Sequence, residues 1–114
     1  MTAETGNQEI NFNIDTKNLY REESYTDMKA GAVRRLVPVN PDGSVDKSRT
    51  SLFVGTTQLM TPEGALPLQA QLMANTLKEA FKVFPAAMQD ATQKMITEIE
   101  KLRNRQVKNF LTIT

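Results

Sequence analysis

The sequence contains no cysteine and no histidine. The lack of cysteine excludes disulfide bonds, iron–sulfur clusters, thiol nucleophiles and the usual structural zinc sites. The lack of histidine removes the commonest acid–base group near neutral pH and the commonest ligand of transition metals. We therefore expect a protein that is not an enzyme and that needs no cofactor.

An excess of charge of one sign and long apolar runs are also missing. The formal net charge is +1, so the chain has no overall field that would draw it to nucleic acid or lipid. The longest apolar runs span only a few residues, such as 36–39, whereas a membrane-spanning helix needs about 20. The first nine residues are polar and include two acids, unlike a secretory signal. We expect a cytoplasmic protein with no membrane contact.

The length of 114 residues fits a single domain that can bury roughly two-thirds of its unfolded surface. Residues 1–8 are polar and without apolar periodicity, which predicts a flexible N-terminal tail. The α+β domain is predicted to span residues 9–106. Residues 107–114 are interpreted as a C-terminal tail or a short strand.

Apolar residues that alternate with polar ones predict four strands. The first is short and half-buried, with Ile10, Phe12 and Ile14 on one side. Residues 15–27 are polar around two tyrosines and are interpreted as a loop or a single helical turn. The remaining strands are predicted at 28–39, 51–60 and 65–73, with a long loop from Asn40 and a tight turn at Thr61-Pro62-Glu63-Gly64 between them. Pro67 cannot donate to a neighbouring strand, which predicts that the last strand lies at an edge.

A helix is predicted from residue 75 onward. Thr76 and Glu79 have the spacing of a capping box. Apolar residues then recur in alternating steps of four and three, with one polar slot at Glu98 beside Ile99: Leu77, Phe81, Phe84, Met88, Ala91, Met95 and Leu102. Pro85 lies inside this pattern, so the helix is predicted to be kinked or split there and to end near Arg105.

These elements predict an α+β fold. An antiparallel meander of three to four strands is covered on one face by the long C-terminal helix. Because small sheets are marginally stable alone, we expect the sheet to depend on the helix for folding.

Few residue patterns point to chemistry. Residues 40–46 offer an oxygen at every second position, but the twelve-residue loop that binds calcium would then need ligands at Pro38 and Arg49. We interpret them as a hairpin loop held by Asx turns. The five glycines form no phosphate-binding motif, and the serines have no histidine to activate them.

Two groups of basic residues are candidates for contact with an anion. Arg34 and Arg35 lie together on a predicted strand, and Lys101, Arg103 and Arg105 lie at the end of the predicted helix. Nucleic-acid-binding surfaces combine an excess of positive charge with stacking aromatics, and this chain lacks that combination. We favour a solvated helix end, and binding of nucleic acid or another anionic ligand is the alternative function.

The helical stripe is longer than one small sheet can cover. If its first half covers the sheet, Leu102 lies about 16 Å further along the axis than Ala91. We therefore predict that Met95, Ile99 and Leu102 lie partly outside the core and form a subunit contact. The predicted function is that of a homo-oligomeric protein-interaction or chaperone-like module, with other protein partners possible at an exposed sheet edge.

The order of elements also carries one resemblance. A four-strand meander followed by a long helix with an aromatic–proline step, Val83-Phe84-Pro85, is similar to the SecB export chaperones over residues 10–95. That resemblance implies a tetrameric holdase that keeps other proteins unfolded. A Gly-x-Pro type of ending is expected after the helix of that family, and Lys101-Leu102-Arg103-Asn104 stands in its place. Because one architecture hosts many functions, the resemblance identifies no family.

Overall fold

The computed structural model describes residues 9–113, with side chains through residue 104. Within this part, the chain forms β1 (Tyr20–Thr26), β2 (Ala32–Pro38), β3 (Leu52–Thr61), β4 (Gly64–Leu72) and α1 (Leu77–Ile113). Each strand pairs antiparallel with the next, so the sheet order is β1-β2-β3-β4. This is the predicted α+β meander with a C-terminal helix.

The first strand does not lie where the sequence predicts it. Residues 10–14 form no strand, and Ile10, Phe12 and Ile14 are exposed by 74%, 84% and 75%. The segment at 20–26, predicted as a loop, is instead the edge strand β1. Edge strands tolerate polar and charged side chains on both faces, and β1 is held by its backbone pairing with β2, which no apolar alternation reveals.

The second strand is shorter than predicted because residues 27–30 form a turn. The Asp27 carboxylate accepts hydrogen bonds from the backbone N–H groups of Lys29 and Ala30 at 2.8 and 2.9 Å. Met28 has a left-handed backbone, with φ of 61°, and is 85% exposed. The strand therefore begins at Ala32.

The last two strands agree closely with the prediction. Residues 61–64 form the tight turn between them, with Thr61 paired to Gly64. On β4, Leu68 and Leu72 are buried while Pro67 is exposed. β4 is the edge strand that Pro67 predicts.

The helix begins with the predicted cap. The N–H of Glu79 donates to the Thr76 hydroxyl at 3.1 Å, and the Glu79 carboxylate accepts from the N–H of Asn75 at 2.7 Å. α1 then runs through Pro85 as one helix, so of the two predicted alternatives, a kink or a split, the split does not occur. It also continues beyond Arg105, and residues 107–113 are helical rather than a strand.

The core lies between one face of the sheet and the first half of α1. Its buried residues are Val33, Phe53, Leu68, Leu72, Ala80 and Met88. The contact is closest at Gly55, where an added Cβ atom would lie 2.9 Å from the Met88 side chain and 3.0 Å from that of Phe84. A glycine on the middle strand thus lets the helix approach the sheet.

The long loop between β2 and β3 is held by Arg49. Its guanidinium pairs with Asp46 at 2.9 Å and donates to the carbonyl oxygens of Leu19 and Val39 at 3.0 Å each. The guanidinium carbon also lies 5.1 Å from the centre of the Tyr20 ring, at cation–π distance. One side chain therefore ties the loop to the start of β1 and the end of β2.

α1 is much longer than its contact with the sheet. Met95 is the last of its residues to pack against the core, which leaves residues 96–113, about 27 Å of helix, beyond it. We call this segment the distal helix. Within the described residues, no helix combines the length and apolar character needed to cross a membrane.

Candidate interaction surface

The distal helix carries three large aliphatic side chains that the rest of the domain does not cover. Ile96 and Ile99 are each 41% exposed and Leu102 is 52% exposed. We call these three residues the distal stripe. Met95, predicted to share their role, is half-buried against the core and marks the point where the stripe leaves the sheet.

The distal stripe continues the side of α1 that faces the sheet. Phe84 and Leu102 are five helical turns apart, and Met88 and Ile99 are about three turns apart, so each pair shares one direction around the axis. Phe84 and Met88 both pack in the core. The distal stripe is thus an apolar core-facing surface that extends past the sheet.

Ile96 widens this surface beyond the residues singled out from the sequence. Ile96, Ile99 and Leu102 follow one another at intervals of three residues, so each is displaced by about 60° around the helix axis from the next. Ile96 therefore lies at the margin of the core-facing side and makes the distal stripe broader than a single line of side chains.

The two sheet edges differ from the distal stripe in chemistry. β4 has Pro67 in its middle, and prolines within sheets are confined to places where the missing N–H would face away from a neighbouring strand. β1 carries Arg21, Glu22 and Glu23, and charged side chains on an edge discourage the addition of another strand. Both edges are less suited than the helix to contact with a partner.

Arg34 and Arg35 are paired with glutamates of β1. Arg34 lies 3.0 Å from Glu22, and Arg35 lies 3.7 Å from Glu23. Successive residues of a strand point to opposite faces, so the two guanidinium groups lie on different sides of the sheet. They do not form one basic patch.

Glu23 is the most highly connected acid of the sheet. Its carboxylate accepts a hydrogen bond from the Tyr25 hydroxyl at 2.8 Å and pairs with Arg21 at 3.2 Å. The bond from Tyr25, with the nearby arginines, lowers the pKa of Glu23, and the same bond raises the pKa of Tyr25. These groups hold β1 to β2, and the lowered pKa favours the ionised carboxylate of Glu23.

The other basic candidates lie on the distal helix. Lys101 and Arg103 are exposed there. The side chain of Arg105 lies outside the part of the chain whose side chains are described. The choice between a solvated helix end and an anion contact therefore stays a prediction.

The acidic side chains of the 40–46 loop accept hydrogen bonds from nearby residues of the same connection between β2 and β3. Asp42 accepts from the N–H and the hydroxyl of Ser44 at 3.0 and 2.6 Å. Asp46 accepts in the same way from Ser48, at the same two distances. The acids of this loop thus form Asx turns, as predicted.

Comparison of the chain with protein-family profiles, with curated proteins and with solved structures gives no match.

Proposed function

We propose that the protein works by association rather than catalysis, and that copies of it associate through the distal stripe. The observation that carries this proposal is the position of Ile96, Ile99 and Leu102. Ile99 and Leu102 lie on the core-facing side of α1 and Ile96 lies at its margin, all beyond the last contact with the sheet. Water-exposed aliphatic side chains that continue a core in this way favour burial by a partner.

The energetics support a contact of this kind. Full burial of an exposed aliphatic side chain of this size contributes about 1.5–3 kcal/mol, and about half of that is available here because the three residues are 41–52% exposed. In a symmetric dimer the distal stripe is buried on both copies, so the gain is doubled. The isoleucines and the leucine lose little rotamer entropy compared with the lysines and arginines around them.

The polar groups of the domain also fit a non-catalytic role. Glu22 and Glu23 bind arginines across the sheet, while Asp42 and Asp46 bind their own loop. In the described part of the chain, these acids stabilise the fold by contacts with their neighbours. A protein that acts by association needs no other role for these acids.

The test replaces two residues of the distal stripe with aspartate. We expect Ile99→Asp with Leu102→Asp to convert an oligomer into a folded monomer, because each buried carboxylate would have no partner. Light scattering measures the mass and circular dichroism the fold. The matched control is Thr97→Asp with Asn104→Asp, which adds the same charge on the opposite side of the helix and should leave the oligomer intact.

Three results would contradict the proposal. A wild-type protein that is monomeric at high concentration would show that copies do not associate through the distal stripe. A control variant that dissociates as fully as the stripe variant would mean that the added negative charge, and not its position on the helix, causes the dissociation. Complete unfolding of the stripe variant places Ile99 and Leu102 in the core of the single chain.

Salt separates this proposal from the alternative of an anionic partner. Apolar association persists as salt rises from 50 to 500 mM, because it depends on buried area. Binding that depends on Lys101 and Arg103 contacting phosphates weakens steeply over the same range. The mass of the pure protein and its retention on a nucleic-acid column, measured in parallel, distinguish the two.

A further inference from the structure

A cavity of about 240 Å³ lies where the first turns of α1 pass the end of β1 and the start of β2. It is smaller than the sites of about 300–1,000 Å³ that hold drug-sized ligands, so it suits a small organic group. Its main lining residues are Tyr25, Asp27, Gly31, Val33, Phe81 and Phe84. We call it the aromatic cavity.

Three aromatic rings line the aromatic cavity. The rings of Tyr25 and Phe81 are perpendicular, with 89° between their planes and 6.5 Å between their centres, so they bound a corner rather than a flat stack. Phe84 lines the cavity next to Gly31, where an added Cβ atom would lie 2.9 Å from its ring. Phe81 is 48% exposed, which leaves the corner open to solvent. Aromatic rings carry negative charge on their faces and attract cations there.

Asp27 is the only charged residue among those that line the aromatic cavity. Its Oδ1 atom accepts the hydrogen bonds from the N–H groups of Lys29 and Ala30, and these bonds lower the pKa of the carboxyl group. The carboxylate is therefore ionised at neutral pH. No lysine or arginine of the described residues forms an ion pair with it, whereas Glu23 on the same strand ribbon has two arginine partners.

The turn that carries Asp27 is held in place by further hydrogen bonds. The Thr26 hydroxyl donates to the carbonyl oxygen of Gly31 at 2.7 Å. The Thr57 hydroxyl, on β3, donates to the carbonyl oxygen of Ala30 at 2.5 Å. Because the turn is already ordered, a ligand that binds the carboxylate pays little entropy to fix it.

We propose that the aromatic cavity binds an alkylammonium group, with its positive charge beside Asp27 and its carbon atoms against the aromatic rings. An anion would be repelled by the carboxylate, and a neutral apolar ligand would cover the carboxylate without pairing it. This inference goes beyond the proposed function and does not depend on it. Phe84 lies about 18 Å along the helix axis from Ile96, where the distal stripe begins.

A matched pair of probes tests the charge of the ligand. One probe is choline, and the other is its uncharged carbon analogue, in which a tert-butyl group replaces the trimethylammonium group. We expect choline to bind the full chain with a Kd of about 1–10 mM, the range given by one ion pair and a few cation–π contacts. The analogue should bind at least about tenfold more weakly. Calorimetry measures both affinities, and the proton NMR signal of the N-methyl groups should move upfield against the rings.

Two variants test the position of the site. Asp27→Asn keeps an oxygen atom for the turn and removes the charge, so it should weaken choline binding about fivefold. Phe81→Leu keeps an apolar side chain and removes the ring, so it should weaken binding about threefold. The control Asp42→Asn removes the same charge from an Asx turn at the other end of β2, about 20 Å away, and should leave binding unchanged. Circular dichroism verifies that each variant is folded.

A third probe identifies what carries the ammonium group. An otherwise uncharged peptide with one central trimethyllysine is titrated beside choline. Tighter binding of the peptide supports a protein side chain as the ligand, and tighter binding of choline supports a small molecule.

Three results would overturn the inference. The first is equal binding of choline and its carbon analogue, which would make the cavity a neutral apolar site. The second is choline binding that is unchanged in Asp27→Asn and in Phe81→Leu, which would place the cation elsewhere. The third is the absence of binding by both choline and the peptide. None of these results bears on whether copies of the chain associate, which the mass of the protein measures separately.

Discussion

At the scale of single residues, a few side chains make contacts that cannot be predicted from their position in the sequence. Arg49 lies in a polar stretch and looks like a solvated cation. In the fold it binds Asp46, two backbone carbonyls and the face of Tyr20. A guanidinium can serve these partners together because it is planar and carries five donors, which a lysine does not.

Gly55 makes the closest approach between sheet and helix, and its replacement tests the packing. We expect Gly55→Val to lower the free energy of unfolding by about 1–3 kcal/mol, because the new atoms must displace Phe84 and Leu72. Urea unfolding monitored by circular dichroism measures the change. Ala65→Val, on an exposed position of β4, is the control and should alter stability by less than about 0.5 kcal/mol. Equal stability of the two variants would mean that the helix does not lie on Gly55.

Asp46 links the stability of the loop to pH. The hydrogen bond from Ser48, and then that from Arg49, lowers the pKa of Asp46 from 3.8 to about 2. Its folded state therefore favours the ionised carboxylate, and this stabilisation is complete above about pH 4 and is lost as the pH falls towards 2. We expect the midpoint of thermal unfolding to drop between pH 4 and pH 2, and to drop less in Asp46→Asn.

The comparison for this prediction is Asp90→Asn, which removes one negative charge from the exposed surface of α1. It should keep the pH dependence of the wild type. A profile of Asp46→Asn that is superimposable on that of the wild type would show that Asp46 contributes nothing. Asp27, Asp42 and Glu23, whose pKa values are also lowered by local hydrogen bonds, contribute to the part of the drop that remains.

At the scale of elements, prediction succeeded where one face of an element is buried. β3, β4 and α1 were predictable because their apolar residues repeat with the period of a strand or of a helix, and these elements make the core. β1 was missed because its pairing is carried by backbone groups and by charged pairs with β2. Ile10, Phe12 and Ile14 have the right period but are exposed and pair with no strand among the described residues, which sequence alternation cannot reveal.

The candidate site was likewise predictable only in part. The exposure of Ile99 and Leu102 followed from the length of the apolar stripe measured against the width of a small sheet. The pairing of Arg34 and Arg35 was not predictable, because it depends on β1 lying beside β2. When a strand is not predicted, its ion pairs with the neighbouring strand are not predicted either. Arg34 and Arg35 therefore look unpaired in the sequence although both pair with β1 in the fold.

Pro85 lies within the part of α1 that packs on the sheet, and it removes one hydrogen bond from the helix. We expect Pro85→Ala to raise the free energy of unfolding by up to about 3 kcal/mol, because the carbonyl of Phe81 regains a donor. Ala86→Gly, at the next exposed position, is the opposite control and should lower it by about 1 kcal/mol. Denaturant unfolding measures both. A less stable Pro85→Ala would mean that the core requires a bend that proline provides.

At the scale of the whole molecule, the chain is far from spherical. Its Cα radius of gyration is 20.1 Å, whereas a compact chain of this length has about 13 Å. The distal helix extends the molecule without adding to its core. A fold of this shape leaves the apolar stripe without cover as long as the chain is alone.

Truncation separates the domain from its extension. We expect a chain that ends at Met95 to fold cooperatively and to be monomeric, since it keeps every helix residue that packs on the sheet. A chain that ends at Asn75 should be unfolded, because a four-strand sheet with one bare apolar face is marginal in water. Circular dichroism and sedimentation measure the two properties. A folded chain after Asn75 would remove the helix from the core, and an unfolded chain after Met95 would make the distal helix part of it.

The two tyrosines also allow the unfolding of separate parts of the molecule to be followed by fluorescence. The sequence has no tryptophan, so ultraviolet emission comes from Tyr20 and Tyr25 alone. Tyr25 meets the ring of Phe81 edge to face, with the ring centres 6.5 Å apart, and so reports whether the helix is docked on the sheet. Tyr20 lies against the guanidinium of Arg49 and reports on the loop. Replacing either tyrosine by phenylalanine leaves a single chromophore, which makes the undocking of the helix and the opening of the loop two separately observable optical transitions.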